Sequence, residues 1–213
     1  RIEFVWEAAV LYDEVVDDPI EAIEAYGSVL DIDPGYDDAM RALEGLYRQR
    51  ENWFDLEDLY VDQLDRSFDP EERRELRVRL ANLRTQKLED YEGAEQILSD
   101  LLADDPDDSE VVEALEELEV ELIKADGDRF PLRLRISESL EPIYRDRRNW
   151  ERLVDALTVR LRGTDEMFEQ LELLDELADL NIGHLGRREE GVELVQKAVK
   201  ADPDHEERRE KLE

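Results

Sequence analysis

Three observations predict an all-α fold of antiparallel helix pairs for these 213 residues: long internal repeats, helix-start signals in step with them, and no alternating strand-like run. Residues 17–39 (DDPIEAIEAYGSVLDIDPGYDDA) align with 89–111 (EDYEGAEQILSDLLADDPDDSEV) at an offset of 72, which carries Ala22, Leu30 and Pro34 onto Ala94, Leu102 and Pro106. Residues 47–64 align with 144–161 at an offset of 97, sharing Tyr47 with Tyr144, Asn52 with Asn149 and Trp53 with Trp150, and the same offset carries Pro106 onto Pro203. Within these units a period of 34 puts Leu43, Tyr47, Leu56 and Tyr60 at the places of Ala9, Asp13, Ala22 and Tyr26. Asp13 breaks the pattern, with Tyr12 beside the expected place.

The elements follow in order. A first helix is expected over 2–16. Asp18-Pro19 with Glu21 and Asp69-Pro70 with Glu72 each supply an acceptor for open N–H groups, a proline suited to the first helical turn and an acid that complements the dipole. They open helices at 18–31 and 70–88. The pairs Asn52-Trp53 and Asn149-Trp150 put a capping Asn before helices at 53–66 and 150–162, and Thr164 precedes an acidic first turn at 165–183. Further helices are expected at 36–50, 91–103, 109–124, 132–147, 188–200 and from 204 onward, about 11–12 in all. Pro34, Pro106 and Pro203 stand where a helix cannot continue. Pro142 falls inside 132–147 and is expected to kink it. The short loops make consecutive helices antiparallel neighbours.

A helix pair every 34 residues, with Ala22, Tyr26 and Pro34 in one unit, Leu43, Tyr47 and Tyr60 in the next and Ala94, Leu98 and Pro106 in the third, resembles the tetratricopeptide repeat. The resemblance covers nearly the whole chain and implies a right-handed superhelical solenoid. It divides into repeats over 1–106, an irregular or altered junction over 107–131, and further repeats over 132–213 continuous with the first block. Three departures stand out. The usual Gly of the first helix is Val10, Glu44 or Asn82, the helix from Asp69 is about one turn too long, and 107–131 leaves a helix missing or altered. Homology with 36–50 makes 132–147 the first helix of a pair, whereas counting from 109–124 makes it a second, so a change in superhelical geometry is expected there. The chain begins at Arg1 and stops at Glu213 within a helical pattern, and so reads as an excerpt from a larger, bacterial-type repeat protein.

Composition narrows the function. With 61 acids against 28 bases the net charge is −33, which argues on electrostatic grounds against nucleic-acid phosphates or an anionic membrane and favours a partner of basic or mixed charge. The acidity is interrupted by two Arg-rich islands: 73–88 at +5, between segments of −17 and −16, and 129–162 at +4. Ion pairing with acidic neighbouring repeats is the simpler reading of these islands. The excess of Arg and Asp suits high salt as well as a basic partner. There is no Cys, His184 and His205 are the only histidines, and apolar runs stop at four or five residues, so neither a thiolate metal site nor a bilayer span is available.

No chemistry-bearing motif emerges: GxGxxG, P-loop, GxSxG and HExxH patterns are all absent. The string DIDPGYDD (31–38) fails as a calcium loop because its sixth place is Tyr36, and Asp104, Asp105, Asp107 and Asp108 read as a cap and linker. No enzyme, cofactor or metal is therefore expected. Trp6, Trp53 and Trp150 are assigned to helix packing. The resemblance implies scaffolding, with first helices lining a concave groove for a peptide or partner helix. Position by position that groove holds Glu7, Glu14, Asp38, Arg41, Arg48, Gln49, Arg79, Leu83, Gln86 and Lys87, with Arg145 and His184 in later repeats. The family's carboxylate clamp is not reproduced, since Leu11, Gly45 or Leu83 stands where it needs Asn. Arg41, Arg48 and Arg79 read as exposed positions where substitution costs little stability. The alternative is an acidic spacer or self-associating rod. Oligomeric state stays open, and so does compartment, with cytoplasm favoured over periplasm.

Overall fold

The computed structural model describes residues 1–125 and 127–203; the helix expected from 204 onward and His205 lie outside these. Among the described residues there are eleven α-helices and no strand. The chain divides into two compact units, Arg1–Leu101 and a second beginning at Leu102.

The first unit contains α1 (Ile2–Val10, continued by a π-helical turn Leu11–Val16), α2 (Pro19–Ile32), α3 (Asp37–Gln49), α4 (Trp53–Arg66), α5 (Pro70–Leu83, continued by a π-helical turn Arg84–Leu88) and most of α6 (Tyr91–Asp104). Helices α1 and α2 pack together, α2 packs on α3, α3 on α4 and α4 on α5. The caps read from sequence do their work: the Asp18 carboxylate accepts from the backbone N–H groups of Ile20 and Glu21, and Asp69 from those of Glu71 and Glu72. Asn52 makes no such side-chain bond. Ala9, Ala22, Tyr26, Val29, Leu30, Ala39, Leu43 and Leu46 form one core cluster, and Leu56, Tyr60, Leu76, Leu80 and Leu83 another. Each fully buried leucine stabilises by about 2 kcal/mol.

The second unit contains α7 (Ser109–Lys124), α8 (Phe130–Asp146), α9 (Trp150–Gly163), α10 (Met167–Gly183) and α11 (Arg188–Ala201). Helix α8 pairs closely with α9, and α10 with α11. Helix α8 thus stands as the first helix of a pair with α9, and α7 packs on α8. Helix α8 runs on through Pro142. Helix α10 opens at Met167, two residues later than expected, because the Thr164 hydroxyl accepts from the Glu166 N–H and donates to the Glu169 carboxylate ahead of the first turn. Gly191 allows α11 to approach α10, since a Cβ there would lie 2.4 Å from the Ile182 side chain.

Every helix pair turns in the same way. Asp17, Glu51, Glu89, Arg148 and Gly186 have positive φ, and each immediately precedes the first residue of the next helix's cap. In the α3–α4 turn the Asn52 N–H donates to the Tyr47 carbonyl and the Glu51 N–H to that of Arg48; Asn149, Tyr144, Arg148 and Arg145 repeat both bonds. This is the Schellman pattern, which satisfies carbonyls a helix end leaves open. In the α1–α2 turn the Asp18 N–H reaches back one residue further, to Tyr12. Tyr12 therefore occupies the place of Tyr47, and the mismatch at Asp13 arises because the π-helical turn takes up one extra residue. The surplus length from Asp69 is absorbed in the same way over Arg84–Leu88, where the Asp90 N–H reaches Arg84.

A side chain at positive φ carries a steric cost that glycine avoids. Glu51→Gly is expected to stabilise the first unit by about 0.5–1 kcal/mol, the relief being partly offset by the greater freedom of glycine in the unfolded chain. Chemical denaturation of the variant checks this, and a loss of stability would mean that the Glu51 side chain contributes more than its backbone strain costs.

Candidate functional site

The groove residues expected from sequence separate into those the structure gathers and those it does not. Arg48 on α3, Arg79 and Leu83 on α5, and Gln86 and Lys87 on the π-helical turn line one cleft of ≈ 350 Å³, together with Trp53, Leu56, Tyr60 and Asn82. Asp38 and Arg41 pair with one another at the exposed start of α3, and Glu7, Glu14 and Gln49 are exposed and do not line this cleft. Sequence reasoning missed Trp53, Leu56, Tyr60 and Asn82, of which the first three come from the second helix of a pair. The recurrence of Trp53 at Trp150 was the available signal.

Beneath the cleft lies Glu44, a charged residue only 6% exposed. Its two carboxylate oxygens accept from Arg48 at 3.1 Å and from Arg79 at 3.0 Å, and Arg48 also donates to the Tyr60 hydroxyl at 2.8 Å. Glu44 thus ties the first helices of consecutive pairs. The expectation that Arg48 and Arg79 tolerate substitution is corrected here: both are open to solvent, yet they are the counter-charges of a buried carboxylate. Lys87 differs. Its ammonium stands 4.9 Å from the centre of the Trp53 ring, a cation–π distance, and among the described residues it has no carboxylate partner. Trp53 also packs against the α4–α5 core, so the packing role and the cleft role fall on one side chain.

The offset of 97 extends to these contacts. It carries Glu44, Arg48, Trp53 and Lys87 onto Glu141, Arg145, Trp150 and His184. In the second unit Arg145 donates to Glu141 at 2.9 Å, and His184 stacks on Trp150 at 4.3 Å between ring centres. The charge differs, because Arg79 becomes Glu176, which pairs with Arg145, and Asn82 becomes Asp179. Glu141 takes its second bond from Arg160 of α9 at 2.7 Å, and Arg160 also holds Glu169. Hydrogen bonding to Glu176 and Glu141 pushes the Arg145 guanidinium above its ordinary range, and to Glu141 and Glu169 that of Arg160. The arginine islands are therefore largely engaged in ion pairing, as the simpler reading held: Arg84 bonds Glu57 at 2.7 Å, and Arg152 lies 3.5 Å from Glu116.

Elsewhere the aspartates and Trp6 serve structure. Asp105 and Asp108 accept from turn and helix-start N–H groups, Asp33 from Gly35, and Trp6 lies against Tyr26 and Tyr36. Among the described residues no three carboxylates or histidines converge as a metal site would require, and no helix is long and apolar enough to cross a membrane.

Two predictions follow from the buried polar network. Arg79→Glu leaves Glu44 facing a like charge and is expected to destabilise the first unit by about 2 kcal/mol, whereas Arg41→Glu stays within about 0.5 kcal/mol; denaturation of both variants checks the contrast. The tyrosines supply a pH signature. Burial, then the charge of Glu44, pushes Tyr60 up to about 12; burial and Asp13 do the same for Tyr26, and burial with the Glu116 hydrogen bond raises Tyr144. The folded chain holds these protons where the unfolded chain, near its ordinary value of about 10, releases them. The stability they confer is complete below pH of about 10 and is lost as pH rises towards 12. Tyrosinate absorbance of these groups is expected to appear together with loss of helix, and ionisation in the folded state would contradict their burial.

No family model matches the sequence, and no curated protein matches it. Solved structures do resemble it in fold. The complex of the TPR2AB domain of yeast Sti1 with pHSP90 is 15% identical, with 99% of this chain and 81% of that chain covered and a TM-score of 0.45. A tetratricopeptide repeat protein from Parabacteroides merdae is 15% identical, covering 99% and 97% at 0.39, and YrrB, a TPR protein with an unusual peptide-binding site, is 16% identical, covering 95% and 87% at 0.35. Ala22, Tyr26, Leu43, Tyr60, Ala94 and Leu98, the places that carry the repeat pattern, are all buried, and the fold is tetratricopeptide-like.

Proposed function

We propose that this chain is a non-catalytic protein-binding scaffold, and that the cleft between α3, α4 and α5 seats an acidic stretch of a partner segment of mixed charge. The observation that carries this reading is Lys87: a cation held over the Trp53 face with no carboxylate partner among the described residues, in a chain with more than twice as many acids as bases. Arg48, Arg79 and Lys87 line the cleft, Leu56, Leu83 and Trp53 give it apolar walls, and Asn82 and Gln86 offer amide groups to a peptide backbone. Such a lining favours a carboxylate beside an apolar side chain. Glu7 on α1 and Glu14 on its π-helical continuation would meet the basic part of the same segment, so that charge sets its direction more than its affinity. The acid–base and nucleophile constellations that catalysis needs have no counterpart in this lining.

The test uses Lys87→Glu, because Lys87, unlike Arg48 and Arg79, neutralises no buried acid. Labelled acidic, apolar-interrupted peptides are expected to bind the unaltered chain better than their lysine counterparts, with a change in tryptophan fluorescence. The variant is expected to lose at least about tenfold in affinity while keeping its helix content and melting temperature. Equal binding by the folded variant would refute the cleft as the site.

A further inference from the structure

We infer that the second unit carries a second, separate docking site: a trough between α7, α8 and α9 that takes a carboxylate side chain, flanked by an aliphatic one, from a partner protein segment. The trough encloses ≈ 320 Å³. One wall is a stripe along α8, namely Arg133, Ser137, Leu140 and Tyr144, whose spacings of four, three and four residues keep them on one face. The facing walls include Val120 and Ile123 of α7 and Arg152 and Arg162 of α9.

Two buried donors in this stripe have no acceptor. Ser137 is 2% exposed and its hydroxyl makes no hydrogen bond; one turn earlier, the Arg133 Nε–H is likewise buried and unpartnered, although the end of the same guanidinium lies 3.5 Å from Glu119. Buried polar groups are ordinarily satisfied, and a guanidinium N–H can only donate, so the missing group is an acceptor. Arg162 adds an unpaired positive charge among the described residues. Glu119 and Asp155 in the same lining disfavour a doubly charged phosphate and leave room for one carboxylate. Val120 and Ile123 stay 42% and 61% exposed beside it, an apolar rim suited to an aliphatic neighbour.

The equivalent place in the first unit supports a specific role. There Leu43, Tyr47, Asp55, Asp58 and Asp62 line the cleft beside α2, and the offset of 97 carries them onto Leu140, Tyr144, Arg152, Asp155 and Val159. Asp55 becomes Arg152 and Asp62 becomes Val159, so the first copy repels a carboxylate where the second accepts one. Helix α7 stands against α8 and α9 where α2 stands against α3 and α4.

The test measures binding of a labelled acetyl-Leu-Glu-Leu-Glu-Leu-amide peptide in the Lys87→Glu background, which removes the first cleft from the reading. The glutamate peptide is expected to bind at least about tenfold more tightly than its glutamine counterpart, and Ser137→Ala and Arg133→Gln each to weaken it about fivefold or more. The melting temperature of Ser137→Ala is expected to stay the same or rise, because an unsatisfied hydroxyl is removed from the interior. Four outcomes overturn the inference: Ser137→Ala melts lower and binds equally, so the hydroxyl serves the fold; the lysine counterpart binds better; free glutarate competes as effectively as the peptide, so the ligand is a small acid; or the chain self-associates through this face and Ser137→Ala abolishes it.

Discussion

Each helix pair depends on one residue held at positive φ directly before the next helix. That single torsional constraint reverses the chain within a Schellman turn, so the first helix delivers its open carbonyls to the incoming backbone and the second helix starts against the first. Glycine would adopt the conformation without strain, yet only Gly186 meets it so; Asp17, Glu51, Glu89 and Arg148 accept the cost. Packing of the pair holds them there. Ala22 against Ala9, and Leu153 and Leu157 in the α8–α9 pair, are buried completely, and such burial outweighs a torsional cost of about 1–2 kcal/mol.

This constraint decides the rest of the architecture. Because Arg148 and Gly186 mark the turns within α8–α9 and α10–α11, α7 stands outside both of these pairs and lines the trough beside Ser137. The π-helical turns answer the same demand. Where a helix is one residue too long for the turn, the surplus widens the last coil and the reversal keeps its place. The second widening also shapes the cleft: it sets Gln86 and Lys87 on the last coil, where Lys87 reaches the face of Trp53.

The legible part of the sequence was the part governed by local rules. Asp18, Asp69 and the prolines announce helix starts because capping chemistry acts over three or four residues, and the duplicated Asn-Trp pairs announce the repeat because identical turns recur. The positive-φ residues were hidden, since Glu51 and Arg148 carry none of glycine's signature. In the sequence Glu44 stands only as a departure from a glycine and gives no sign of its burial, because its partners Arg48 and Arg79 lie four and thirty-five residues away and the latter meets it only through the stacking of pairs. For the same reason Arg79 looked like an ordinary surface arginine. Arg48, Arg79, Leu83, Gln86 and Lys87, expected together from the family resemblance, line one cleft, whereas Glu7, Glu14, Asp38, Arg41 and Gln49 sit away from it.

The duplication shows how one scaffold supports different surfaces. Positions that fill the core keep their character across the offset of 97: Leu43 with Leu140, Tyr47 with Tyr144, Leu56 with Leu153, Leu80 with Leu177. Positions facing the clefts change sign instead, Arg79 to Glu176 and Asp55 to Arg152, and Lys87 gives way to His184 while the contact with the tryptophan ring persists. Arg160 supplies to Glu141 the second bond that Arg79 gives Glu44, and the exchange of Asp55 for Arg152 falls where a charge is worth little to stability, so the pairs stay intact while the charge of the clefts changes. The acid excess has the same logic. Arginine, with a planar head that can satisfy two carboxylates at once, bridges helices as Arg145 and Arg160 do, and the unpaired acids remain on solvated faces. Lys87 and Arg162, which line the two clefts and have no carboxylate partner among the described residues, keep their charge unneutralised within that field.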